Sequence, residues 1–184
     1  MELKHNLLDH PFYQSWNEGS ITQEQLAAYG AAYQEFINEM PKLWEKAVNG
    51  LDAMTDEARE VIEDESSHIE LWRKCFARLM PVDHHPGMSD VLEKIAALSP
   101  SAQLGVIHAF EVQQPAVAKT KKEGLLKHYG FTAEECIYFD EHMNEAEHIA
   151  FGQKLARKFA DEKDFQYGFA YGAKLIYDSL DRFL

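Results

Sequence analysis

From Leu26 to Trp44 the large apolar residues return every three or four positions: Leu26, Tyr29, Tyr33, Phe36, Ile37, Met40 and Trp44. That is the spacing of one face of an α-helix. Nowhere does the chain alternate apolar and polar residues for long enough to make a strand. The remaining segments repeat the helical pattern between breakers. Leu7 to Trp16 precedes the turn Asn17-Glu18-Gly19-Ser20, and Thr22 with Gln25 forms a capping box for the helix that follows. A third helix starts after Thr55, with a possible break at Ser66-Ser67, and Val91 to Leu98 is a shorter one. A long helix is expected from about Ala102 to Tyr129, with Pro115 inside it and Gly130 as its C-terminal cap. Thr132 and Glu135 box the next, and the last begins near Lys163. Pro41 is expected to bend the second helix. The expectation is an all-α bundle of about seven helices in one domain spanning residues 1–184.

With 46% hydrophobic residues the chain can bury a sizeable core. Its net charge of −13 argues against nucleic acid and anionic membrane as partners, since both need a basic face. Met1-Glu2-Leu3-Lys4-His5 is not a signal peptide, and no apolar run is long enough to span a bilayer. Cys75 and Cys136 lack metal-type spacing and read as reduced thiols, so the expected compartment is the cytoplasm.

Two acid–histidine pairs stand out. Glu65 and His68 are three residues apart, and so are Glu145 and His148. On helices each pair shares one face. Two Glu-x-x-His pairs with a Glu from another helix are what a bundle uses to hold two irons or manganeses: carboxylates bridge and neutralise the cations, and imidazoles suit ferrous iron. Glu111, between Phe110 and Val112, is the candidate third carboxylate, and His108 shares its face. Glu35 and Glu39 are further carboxylates on the second helix. The competing reading is a set of solvated acidic faces, which spacing does not exclude.

Several stretches carry a resemblance. LLDHPFYQSWNEGSITQEQLAAYGAAYQEF (Leu7 to Phe36) resembles the N-terminal region of the haem-oxygenase-like superfamily, which includes the TenA thiaminases, PqqC and the CADD-like diiron oxidases. HIELW (His68 to Trp72), FEVQQPAVAKTKKEGLLKHYGF (Phe110 to Phe131) and YFDEHMNEAEH (Tyr138 to His148) are similar to the CADD-like branch. The resemblance implies a haem-oxygenase-like bundle and a non-haem diiron oxidase that activates dioxygen. Its cofactor would be two irons, with manganese as an alternative. The ligands would be Glu65, His68, Glu111, His142, Glu145 and His148. Glu63 and Asp64 compete with Glu65.

The family pattern His-x-x-x-Asp-x-x-His is one residue longer than His142-x-x-Glu145-x-x-His148. At 100° per residue the family spacing keeps its ligands within about 60°, whereas the spacing here spreads them over about 120°. Either a local bulge brings His142 back or Glu141 takes its place. The resemblance also implies catalytic roles for Tyr13, Tyr29 and Lys121, as in para-aminobenzoate synthases that consume a tyrosine of their own and take nitrogen from a lysine. The expected substrate is that self-derived tyrosine, or a small molecule that is N-oxygenated or oxidatively cleaved. A homodimer is expected. The alternative is a metal-free small-molecule enzyme or binding protein like TenA or PqqC.

Overall fold

The computed structural model describes residues 2–79, 82–144 and 146–184, and among them the chain forms nine α-helices and no strand. The helices are α1 (Pro11–Glu18), α2 (Gln23–Gly50), α3 (Asp56–Phe76), α4 (Ser89–Ala96), α5 (Pro100–Glu111), α6 (Gln114–His128), α7 (Ile137–His142), α8 (Ala146–Phe159) and α9 (Glu162–Ser179). Short 3₁₀ turns at Leu7–Asp9, Ala77–Leu79 and Leu180–Phe183 complete it. None of the described helices is long and apolar enough to cross a membrane.

The count exceeds seven because two expected helices are each broken. The one expected over 102–129 stops at Glu111 and restarts at Gln114, since Pro115 has no N–H to continue the ladder. Gln113 repairs the junction: its side chain donates to the Ala109 carbonyl and accepts from the Leu7 N–H, 2.9 and 2.8 Å. The one expected from Thr132 forms its reciprocal Thr132–Glu135 bonds in a turn, and helix begins only at Ile137. It breaks again after His142. The possible break at Ser66-Ser67 is absent. Ser66 and Ser67 lie inside an uninterrupted α3, where their hydroxyls bond back to the Ile62 and Asp64 carbonyls. Pro41 is accommodated within a continuous α2. Gly130 holds φ +70° just beyond α6, where a side chain would be strained.

Helix α5 is the axis of the bundle. Every residue from Ser101 to Glu111 is buried, the mark of a helix covered on all sides. It packs closest against α9, where glycines let the backbones touch. A Cβ on Gly168 would lie 2.0 Å from the Ala102 carbonyl oxygen, and one on Gly105 would lie 2.2 Å from that of Phe165. Gly168→Ala should therefore destabilise the fold by about 3 kcal/mol in a urea melt, since a backbone clash outweighs the roughly 1 kcal/mol gained in helix propensity. Wild-type stability in that variant would remove the close approach as the reason for glycine here.

Candidate metal centre

Helix α3 carries the first pair. Thr55 caps it, acidic Asp56 and Glu57 sit in its first turn and Arg73 and Lys74 in its last, each charge matched to the helix dipole. Because the helix runs unbroken, Glu65 and His68 project from the same side and both are buried, at 4% and 7% exposure. Glu63 and Asp64, turned about 200° and 100° away, are exposed. Of the three competing acids, only Glu65 points into the bundle. Asp64 stays at the rim with Oδ2 3.7 Å from His148 Nε2.

The broken helix supplies the second group. After His142 the chain turns through Met143 and Asn144 before α8 begins. This interruption changes the angular relation that a continuous helix would impose. His142 is buried with its ring centroid 4.4 Å from that of His68, while Glu141 is exposed. His142 Nδ1 donates to the Tyr138 carbonyl at 2.7 Å, which makes Nε2 the basic nitrogen. His148, from the first turn of α8, brings Nδ1 to 3.4 Å from Glu65 Oε1. Glu145 lies outside the described residues. Glu111, the last residue of α5, completes the group: Glu65, Glu111 and His148 are all buried, with ligand atoms within 4.8 Å of one another.

This donor set fits a divalent cation. His68 Nδ1 is buried without a hydrogen-bond partner, 3.7 Å from Glu65 Oε2. Burial on its own would raise the Glu65 carboxyl, but the imidazoles of His148 and His68 beside it outweigh burial and bring it down to about 2. It is the deprotonated form that ligates metal. Two buried carboxylates with imidazoles suit first-row metals such as iron and manganese.

The other expected acids and histidines go elsewhere. Glu35 accepts from the Met88 N–H at 2.8 Å, ahead of α4, and Glu39 pairs with Lys42 on the surface. His108 turns its ring toward Phe165 and Phe169 of α9, at 5.8 and 5.9 Å. His84 is exposed.

A second feature lies beside the candidate ligands. Lys121, on α6 between exposed Lys119 and half-buried Lys122, is itself buried at 1% exposure. Its Nζ sits 4.0 Å over the Tyr33 ring, 5.2 Å from that of Tyr29 and 5.5 Å from that of Trp72. Burial pulls its pKa down to about 7. Tyr13 and Tyr29 are both buried, and burial pushes both phenols up. Lys121, Tyr13, Tyr29 and Tyr33 surround a cavity of only about 20 Å³, closed further by Phe110 and Phe183.

Tyr33, on the apolar stripe of α2, and Trp72 and Tyr138 are all buried. They also join the two features: Tyr138 stacks on His142 at 3.9 Å, Trp72 lies 4.9 Å from Tyr138 and 4.5 Å from Tyr33, and Tyr33 stacks on Tyr29 at 5.5 Å. The available signal was spacing: Tyr33 follows Tyr29, and His142 follows Tyr138, by one helical turn.

No protein-family model matches the chain. Curated relatives do. A 4-aminobenzoate synthase of Chlamydia muridarum is 31% identical over 157 residues, covering 74% of this chain and 66% of that protein. One of Chlamydia trachomatis serovar D is 30% identical, covering 74% of this chain and 67% of that protein. One of Nitrosomonas europaea is 27% identical, covering 97% of this chain and 84% of that protein. The chain thus spans about two thirds of the length of the chlamydial relatives.

Proposed function

The chain belongs to the 4-aminobenzoate synthase family, and from that membership we propose that it forms 4-aminobenzoate by oxidising one of its own tyrosines, Tyr13 or Tyr29, with Lys121 as the source of nitrogen. On this reading it is a CADD-like member of the haem-oxygenase-like superfamily and a non-haem dimetal oxidase. Glu65, His68, Glu111, His142, Glu145 and His148 would hold the metals, iron or manganese. When bound, they would supply the activation of dioxygen that the oxidation needs.

The observation that carries the proposal is the cavity around Lys121. At about 20 Å³ it has room for little more than one water, not for a diffusible aromatic substrate. An amine and three phenols already form its walls. The ring and Cβ of a tyrosine contain all the carbons of the product, and the lysine amine contains its nitrogen.

The residues of the chain perform separate tasks. Burial keeps a substantial fraction of Lys121 unprotonated near neutrality, so its nitrogen carries the lone pair that bond formation to a ring carbon requires. The raised phenol pKa values keep Tyr13 and Tyr29 as neutral phenols until they are oxidised. Gln114 Nε2 donates to the Tyr33 hydroxyl at 3.2 Å and fixes that ring beneath Nζ. The apolar wall excludes water that would compete with the amine.

Isotope labelling tests this. A chain carrying ring-labelled tyrosine, given Fe(II) or Mn(II), reductant and dioxygen with unlabelled free tyrosine in excess, should release labelled 4-aminobenzoate at no more than one per chain. Tyr13→Phe or Tyr29→Phe, whichever removes the consumed ring, should abolish it. Unlabelled product, or many turnovers per chain, would overturn the self-derived substrate.

A further inference from the structure

A separate cavity of about 500 Å³ opens between α5, α8 and α9, within the range of about 300–1,000 Å³ typical of small-molecule sites. Phe165 and Phe169 of α9 and Leu3 form its apolar walls, and His108, Gln153 and Arg157 supply its polar groups. We infer that this groove is a binding site for a small, flat aromatic carboxylate, with the ring against Phe165 and Phe169 and the carboxylate on Arg157. The inference is independent of the reaction proposed above.

Charge sets this groove apart. The chain has 31 acidic residues against 18 basic ones, and three other open cavities are each lined by carboxylates: Glu35, Glu39 and Glu93 in one, Asp64, Glu141 and Glu147 in the second, Glu45 and Glu63 in the third. The α5–α8–α9 groove has no acidic wall residue. Arg157 is exposed, and among the described residues no carboxylate pairs with it, although the neighbouring turn of α8 pairs Lys154 with Glu57. A free guanidinium at the rim of an apolar slot can take a carboxylate bidentately.

Burial adds a second observation. His108 is 3% exposed, and its Nδ1 has no hydrogen-bond partner. Gly152 leaves room for the ring, since a Cβ there would stand 3.2 Å from Nδ1. Burial also lowers the His108 pKa to about 4, so the imidazole is neutral at physiological pH and offers one N–H donor beside the slot without adding charge. The cavity at Lys121 is no competitor for such a ligand, because it is too small.

The test compares a charged probe with its neutral isostere. Fluorine NMR titrations of 4-fluorobenzoate and 4-fluorobenzamide into the full chain, with EDTA present so that the acid does not ligate metal, report the two affinities. The acid should bind about tenfold more tightly than the amide, the order expected for a charge-assisted bidentate pair. Arg157→Gln should bring the two within about twofold. Gln153→Trp, which fills the mouth from an exposed position, should weaken both. A wild-type chain that binds neither probe, or binds acid and amide alike, would overturn the inference. So would an Arg157→Gln chain, folded by its thermal melt, that keeps the wild-type ratio.

Discussion

Lys121→Met should abolish 4-aminobenzoate formation and at the same time stabilise the protein. The loss of product follows if Lys121 is the nitrogen source, because methionine fills the space but carries no amine. Labelling of lysine nitrogen in the wild type should place the label in the product.

The gain in stability follows from the energetics of burial. The unfolded chain holds the lysine proton up to its ordinary pKa of 10.5, whereas the folded chain releases it above about 7. Between these values the unfolded state binds more protons, so the Lys121 contribution to stability rises with pH across the window from about 7 to 10.5. Below the window the penalty for a charged amine inside the aromatic cage is fully present, on the order of 5 kcal/mol. Methionine removes it. The difference in unfolding free energy between variant and wild type should be largest at pH 7 and vanish toward pH 10. Urea melts across this range check it, and a difference that does not depend on pH would remove the buried amine as its cause.

Glu65→Ala should cost at least about 100-fold in metal affinity, more than the loss of an outer-sphere partner. The carboxylate lies 3.4 Å from His148 and 3.7 Å from His68, so its removal takes the anionic centre from the ligand cluster. The wild type should take up about two equivalents of Fe(II) or Mn(II) and melt at higher temperature when loaded, because metal binds the folded state. Glu65→Ala should lose both effects. Glu63→Ala, an exposed change two residues earlier, should keep them. Titration followed by elemental analysis separates the cases, and equal uptake by wild type and Glu65→Ala would exclude Glu65 as a ligand.

Much of the fold was legible because helix formation is local. The stripe from Leu26 to Trp44 is buried at each of its seven positions. The Thr22–Gln25 capping box and the positive φ of Gly130 are where the residue types placed them. Helix ends were read less well at Pro115 and Thr132. There a strong local signal, a proline or a capping box, had to be weighed against packing that a single chain segment does not reveal. At Ser66-Ser67 the helix continues because the hydroxyls satisfy their own backbone carbonyls.

The candidate site divides along the same line. Sequence alone put Glu65 on the face of His68, because three residues on a helix always share a side. It left Glu65 open against Glu63 and Asp64, and His142 against Glu141. Those choices depend on which face turns inward and on the break at Met143 and Asn144, both products of packing against distant helices. Lys121 is the clearest case. In a run of lysines nothing local distinguishes it from its neighbours, and only the tertiary structure, by enclosing it among Tyr29, Tyr33 and Trp72, strips its amine of water and gives it a different chemistry. Helical period and side-chain type are properties of the chain. Desolvation is a property of the space that the other helices leave.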